Sequence, residues 1–400
     1  MMTFSSSDTV CPEKRLLVLC ARMRMEPAVA QEIRALVARP LDWDYLLSQA
    51  AENSLTPLLA RNLSVSAADI VPPDQMKRLA DATRANTARC LILTAELIKI
   101  MDMLQSDGIP AIPYKGPVLA AQAYGDLTLR EFDDLDIILR QRDMAKANEI
   151  VTSLGYSPRF PWILSPGAAS SLVPGEYNYR EESRRMMVEL HTEVTLRHFP
   201  GPPDLDDLAR RLVPVALSGH EVETFAPEDA LPILCVHGSK DFWERISWIA
   251  DIAELLQKYP QLDWDTVFRR AESWRAQRML HLGLALAAGL LDASPPGEIL
   301  SRVREDRVAA SLASEVIQRL LSREQRTLGA TERFRFRRRM IQGALAGWHY
   351  SIRLAVIPAE EDWLMVRLPR PLAPLYLLLR PLRLLRKYGS SGGRVEGPPA

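Results

Sequence analysis

Asp134 and Asp136 stand two apart in "DDLDIIL" (133–139). A two-residue step along a strand puts both carboxylates on one face, while Leu135, Ile137 and Leu139 turn to the other and enter a core. Like charges that close repel, so the pattern calls for a compensating cation, and paired oxygen donors suit Mg2+. Asp133 reads as solvent-facing. Upstream, "IPYKGP" (112–117) places Lys115 and Gly116 where a strand turns into a helix. Exposed N–H groups at such a turn attract phosphate. Lys115 and Arg130 add the positive charge that suits a polyphosphate. Two-metal displacement at phosphorus needs a third carboxylate. Glu189 is the candidate, because in "VELHTEV" (188–194) Glu189, His191 and Glu193 alternate with Val188, Leu190, Thr192 and Val194. His191 reads equally well as a metal neighbour and as a structural histidine.

A second polar cluster follows in His237, Lys240, Asp241, Arg245, Trp248 and Asp251. Positions 237, 241, 245 and 248 keep helical spacing, so they form one polar stripe. Facing the acids, His237, Lys240 and Arg245 suit a triphosphate, and Trp248 or His237 a base. The same residues also suit simple salt bridges along the helix.

The elements that must hold these groups fall into four stretches. Residues 1–107 read as an N-terminal helical unit, with three- and four-residue apolar spacing in 14–63 and a long helix over 73–108 stopped at Asp107-Gly108. Residues 108–227 form the sheet-bearing core. It holds strands at 109–114 and 135–140, a helix from Pro117 to Gly125, a crossing helix over 143–156, and hairpins at 176–194 and 214–227. Residues 228–356 are helical again, with 293–298 as a candidate linker. Residues 357–400 combine the apolar, basic stretch "LAPLYLLLRPLRLLRKYG" (372–389) with a tail of disordered composition at 389–400. The fold class is α+β: a small mixed sheet flanked by N- and C-terminal helical units.

Composition narrows the function. Lysine plus arginine equals aspartate plus glutamate at 50 each, so no global field draws the chain to nucleic acid. "RFRFRRR" (333–339) has no aromatic platform for bases and reads as a solvated helix face. The four cysteines are scattered without a C-x-x-C pair, as in a reducing, cytoplasmic setting. The first residues lack the basic start and apolar run of a signal peptide, and no stretch has the uninterrupted apolar length of a membrane span. Residues 372–389 read as an apolar helix docked on the domain with a basic outer face, ahead of a helix lying on a membrane surface.

Together, "IPYKGPVLAAQAYGDLTLREFDDLDIIL", "VELHTEV" and "CVHGSKDFWERISWIADIAELL" resemble the bacterial family of uncharacterised nucleotidyltransferases, of polymerase-beta-like fold. The resemblance covers roughly residues 15–290. It implies transfer of a nucleotidyl group from an NTP, ATP foremost, to a small-molecule or protein acceptor, with Mg2+ as cofactor. Some members are encoded in clusters for ribosomal peptide natural products, which implies such a pathway as one setting. Carried over, Gly116 matches the glycine of the phosphate turn, Asp134 and Asp136 the metal pair, and Glu189 the third acid. Two departures stand out: Pro117 follows the glycine where Ser or Gly is usual, and the third acid is Glu where Asp is commoner. They frame the alternative reading, a catalytically degenerate binding or scaffold protein.

Overall fold

The computed structural model describes residues 11–160, 175–194, 204–324, 327–358 and 370–389, together with 362, 365, 366 and 368. The expected tail at 389–400, apart from Gly389, and the first ten residues lie outside them. Proline at the first turn and an Asp cap recur as helix starts, since Pro there loses no bonded N–H and Asp accepts from a free one. The N-terminal helices are α1 (Pro12–Cys20), α2 (Pro27–Val37), α3 (Trp43–Glu52), α4 (Thr56–Ser66) and α5 (Pro73–Ser106). The apolar pattern of 42–63 is continuous, yet the chain breaks between α3 and α4, where Ser54 takes a φ of 54°. The buried Asn53 side chain, bonded to the Gln49 carbonyl and to the N–H of Ile246, holds that break open.

The central elements are β1 (Ala111–Pro113), α6 (Gly116–Leu119), β2 (Asp134–Leu139), α7 (Met144–Ser153), β3 (Ser157–Pro158), β4 (Glu176–Glu181), β5 (Met186–His191), α8 (Leu205–Ala209), β6 (Val213–Leu217) and β7 (His220–Thr224). The five-stranded sheet runs β1-β2-β5-β4-β3. β2 and β5 are parallel, while the β1–β2, β5–β4 and β4–β3 pairs are antiparallel. β6 and β7 form a separate hairpin.

The C-terminal helices are α9 (Pro227–Lys240), α10 (Ile246–Lys258), α11 (Trp264–Ser273), α12 (Gln277–Leu291), α13 (Gly297–Glu305), α14 (Arg307–Leu321), α15 (Ala330–Met340), α16 (Ala344–Val356) and α17 (Tyr376–Gly389). The stretch read from sequence as one polar stripe is therefore cut at 241–245. Phe242 and Trp243 have φ of 60° and 53°, and the Trp243 ring lies so close to Gly238 that any Cβ there would meet it at 2.5 Å. A buried indole seated on a glycine turns the chain where periodicity alone would continue the helix.

Each face of the sheet has its own core. Leu135, Ile137, Leu139, Val188 and Leu190 pack with Leu93, Leu97, Ile100 and Leu104 of α5 and with Ala147 and Val151 of α7. Ile112, Tyr114 and Ile138 look the other way, into a core shared by α1–α4 and α9–α15. Asp134 and Asp136 share the second face with Ile138, so the acids lie between the sheet and the C-terminal helices.

Glu254 on α10 is buried in that second core, where its Oε1 accepts from the Met23 N–H at 2.9 Å. Burial pushes its pKa up to about 7. A raised carboxyl pKa gives stability that is fully present below the unfolded value and is lost as pH rises through the folded one. Glu254→Gln is therefore expected to change little at pH 5 and to stabilise the chain by roughly 1–2 kcal/mol at pH 8, read from denaturant midpoints at both pH values.

Candidate active site

Gly116 makes the first part of the site possible. Its φ is +53°, and an added Cβ would stand 3.2 Å from the Asp134 carbonyl oxygen. A glycine is thus required both by conformation and by close approach to β2. The helical segment that follows starts as α6, with Pro117 in its first turn, and then widens into a π-turn over Ala120–Tyr124 before Gly125 ends it at φ 68°. The sequence pattern indicates the helix and its stop; the π-turn is visible only in the structure. The wider turn accompanies Tyr124, whose OH donates to Asp251 Oδ1 at 2.8 Å.

β2 and β5 supply the acids. In the parallel register Asp136 stands opposite Glu189, and Asp134 opposite Met187. Asp136, Glu189 and His191 each present a ligand atom within 4.8 Å of the others. Asp136 Oδ1 accepts from Lys115 Nζ at 2.6 Å and lies 3.1 Å from His191 Nε2, which is 3.4 Å from Glu189 Oε2. His191 also lies edge-on to Tyr114, with ring centroids 5.4 Å apart.

These contacts separate two aspartates that the sequence presents as equivalent. Burial works against the charge of Asp136, but the Lys115 ammonium and the hydrogen bond from His191 hold its pKa well below the usual carboxylate range. Asp134 has no such partner: burial and the adjacent Asp136 charge push it up to about 7. Burial also disfavours charge on His191, yet its bonds to Asp136 and Glu189 win and raise it to about 9. Asp134 is thus the carboxyl that a cation would relieve most, and Asp136 the one already neutralised by the chain itself.

The second cluster divides between α9 and the start of α10. Lys240 Nζ donates to Glu176 Oε2 at 3.2 Å, and Glu176 stands opposite His191 in the β4–β5 ladder. His237 lies 3.6 Å from Asp241 and meets the Trp248 ring edge-on at 5.2 Å. Burial, followed by the positive charges of Lys115 and Lys240, drives its pKa far below the ordinary value, so it faces the site as a neutral ring. Arg130 Nε and Nη2 donate to Asp251 at 2.8 and 3.0 Å. Arg245 points elsewhere: it donates to Ser54 Oγ at 3.2 Å and lies over Trp248. Glu176 is a site neighbour that sequence reasoning missed; its only signal was its place at the start of the hairpin that carries Glu189.

The loop at 126–133 is pinned from outside by α5. Asn86 donates to the Thr128 carbonyl at 2.8 Å, and Arg89 reaches the carbonyls of Asp133 and Arg185 at 3.4 and 2.6 Å. Asp133 itself is exposed, as its position before the strand implies.

A family profile described as uncharacterised nucleotidyltransferase matches residues 39–292, and that span contains every acid and base of this cleft. The chain belongs to that family. The whole five-stranded sheet, with Asp134, Asp136 and Glu189, lies inside the matched span. A solved structure, the solution structure of the antibiotic-resistance factor ANT(2'')-Ia, is similar over 45% of this chain and 90% of its own. Identity is 14% and the TM-score 0.32. No curated protein matches the chain.

Proposed function

We propose that this chain moves a nucleotidyl group from an NTP, ATP foremost, to an acceptor and releases pyrophosphate. The observation that carries the reading is the Asp136–Glu189 register, which joins a third carboxylate from β5 to the pair on β2. The donor set fits Mg2+: Asp136 and Glu189 offer hard oxygens within 4.8 Å of each other, and Asp134, outside that group but on the same face of β2, is crowded enough to gain from a cation. His191, a nitrogen donor, serves better as the group that orients Asp136. When bound, the ion supplies charge neutralisation at the α-phosphate. Asp134, Asp136 and Glu189 would hold it, and Glu189 would orient the acceptor's nucleophilic oxygen or nitrogen and accept its proton. That atom bonds to the α-phosphorus while the bond to the β-phosphate oxygen breaks, and the electron pair leaves with pyrophosphate. Lys115, Arg130, Lys240 and the N–H groups of the Gly116 turn would receive the polyphosphate. Trp248 and His237 would bound the base. The four free cysteines suit a reducing, cytoplasmic setting, and a peptide natural-product pathway is one that would provide an acceptor.

A second reading, a degenerate binding or scaffold protein, draws on two features. Pro117 removes an N–H from the phosphate turn, and Lys115 already satisfies Asp136. Labelled NTP with cell lysate separates the two: transferred label supports the enzyme, whereas bound NTP without transfer supports the scaffold. Within the enzyme reading, Glu189→Gln is expected to bind NTP within about threefold of the parent and to lose transfer on the order of 10²-fold or more. Glu193→Gln, beyond the end of β5, is the milder control. An exchange of the two phenotypes would move the third acid to Glu193.

A further inference from the structure

α17 is built inside out for a helix facing water. Its inner side holds Tyr376, Leu379 and Arg380, and Arg380 and Arg383 both reach the buried Asp362, at 3.1 and 2.5 Å. Arg380 also donates to the Leu354 carbonyl at 2.8 Å, fixing α17 to α16. The outer side, by contrast, carries Leu378 and Leu382, 63% and 62% exposed, with Leu375 one turn before and the exposed Arg386 one turn after. Sequence periodicity expects the basic residues outside; the Asp362 carboxylate instead draws two of them inward and leaves the leucines outside.

α16 repeats the arrangement. Leu345, Trp348 and Ile352 share a face at three- and four-residue spacing and are 71%, 68% and 53% exposed, with the exposed His349 and Arg353 at its edge. Two adjacent helices with outward apolar stripes form a patch that a water-facing surface rarely keeps. Charge identifies the occupant. Residues 344–389, from the start of α16 to the end of α17, contain seven Lys and Arg against three Asp and Glu, and Arg353 and Arg386 are exposed beside the two apolar stripes. In a chain with 50 of each sign, this local surplus of four is balanced by an equal acidic excess elsewhere. No described helix is long and apolar enough to cross a membrane. Leucines and a tryptophan flanked by arginine, on helices too short to span, match an anionic lipid interface.

We propose that α16 and α17 seat the chain on an anionic membrane surface, with Leu345, Trp348, Ile352, Leu378 and Leu382 entering the headgroup–acyl boundary. The face lies outside the nucleotidyltransferase match, so the assignment does not depend on transfer activity. The test is co-sedimentation of the full chain with vesicles of phosphatidylcholine alone and with phosphatidylglycerol added. Binding to the anionic vesicles is expected to be at least about tenfold tighter and to weaken as salt rises. Leu378→Glu with Leu382→Glu, and separately Trp348→Gln with Ile352→Gln, should each reduce it about tenfold or more, with the circular dichroism spectrum and thermal midpoint kept. Equal binding to both vesicles, no sedimentation at low salt, or unchanged binding by both folded variants overturns the proposal. So does a parent dimer that these variants dissociate without any vesicle binding, which would make the patch a contact between copies of the chain.

Discussion

Asp136→Ala and Asp134→Ala are both expected to lower nucleotidyl transfer on the order of 10³-fold, yet to move stability in opposite directions. Removing either member of a close like-charged pair should, from sequence alone, leave the metal-free fold as stable or more so. The structure separates them. Asp136 is buried and holds Lys115 at 2.6 Å and His191 at 3.1 Å, so its loss strands one buried ammonium and one buried ring. Breaking such a pair costs about 3–5 kcal/mol. Asp134 carries no bond of that kind, and its pKa near 7 marks a carboxylate that is unfavourable when ionised in the folded chain. Because a raised carboxyl pKa means stability lost as pH rises through the folded value, Asp134→Ala should be neutral below about pH 4. It should become stabilising by about 1 kcal/mol at pH 8. Urea midpoints of the two variants at pH 5 and pH 8, without added metal, check this. Equal destabilisation by both would remove the distinction between a partnered and a crowded aspartate.

The acids were legible because strand geometry is local. Asp134, Asp136 and Glu189 follow from a period of two and from the hydrophobic residues between them. Their meeting was expected from the need for a third carboxylate and from the family resemblance rather than from alternation, since the Asp136–Glu189 pair belongs to a parallel ladder whose strands are 53 positions apart, and a period of two says nothing about which strands pair. The same limit hid the partners. Lys115 and Arg130 both read as phosphate ligands by charge, but one bonds Asp136 and the other Asp251, 121 positions later. Helix ends failed for a different reason. At Ser54 and at Phe242–Trp243 a buried side chain, Asn53 or Trp243, overrides a continuous apolar pattern, and tertiary packing of that kind leaves no periodic trace. In α17 the basic residues and leucines were read correctly as amphipathic, but their direction depended on Asp362, a residue outside the helix.

Arg130 and Asp251 form a buried ion pair outside the acid cluster whose disruption should be costly, and a double-mutant cycle there also decides what Arg130 does. Both side chains are nearly inaccessible, at 12% and 2%, and two parallel N–H···O bonds plus the Tyr124 hydroxyl satisfy the carboxylate. Arg130→Met or Asp251→Leu alone leaves a buried charge without its partner and is expected to cost about 3–5 kcal/mol. The double variant replaces the pair with apolar groups and is expected to recover most of that loss, because the desolvation of both charges is removed together. A single-variant cost below about 1 kcal/mol would show that the pair contributes little to the fold. Transfer activity then separates two roles. If Arg130 only ties the loop before β2 to α10, the double variant should regain activity along with stability. If Arg130 also receives the polyphosphate, as its charge beside Lys115 led the sequence reading to expect, the double variant should fold like the parent and still show a raised KM for NTP. Stability restored without NTP affinity is the expected result, since Arg130 is close enough to Asp134 for its charge to pull down that residue's pKa.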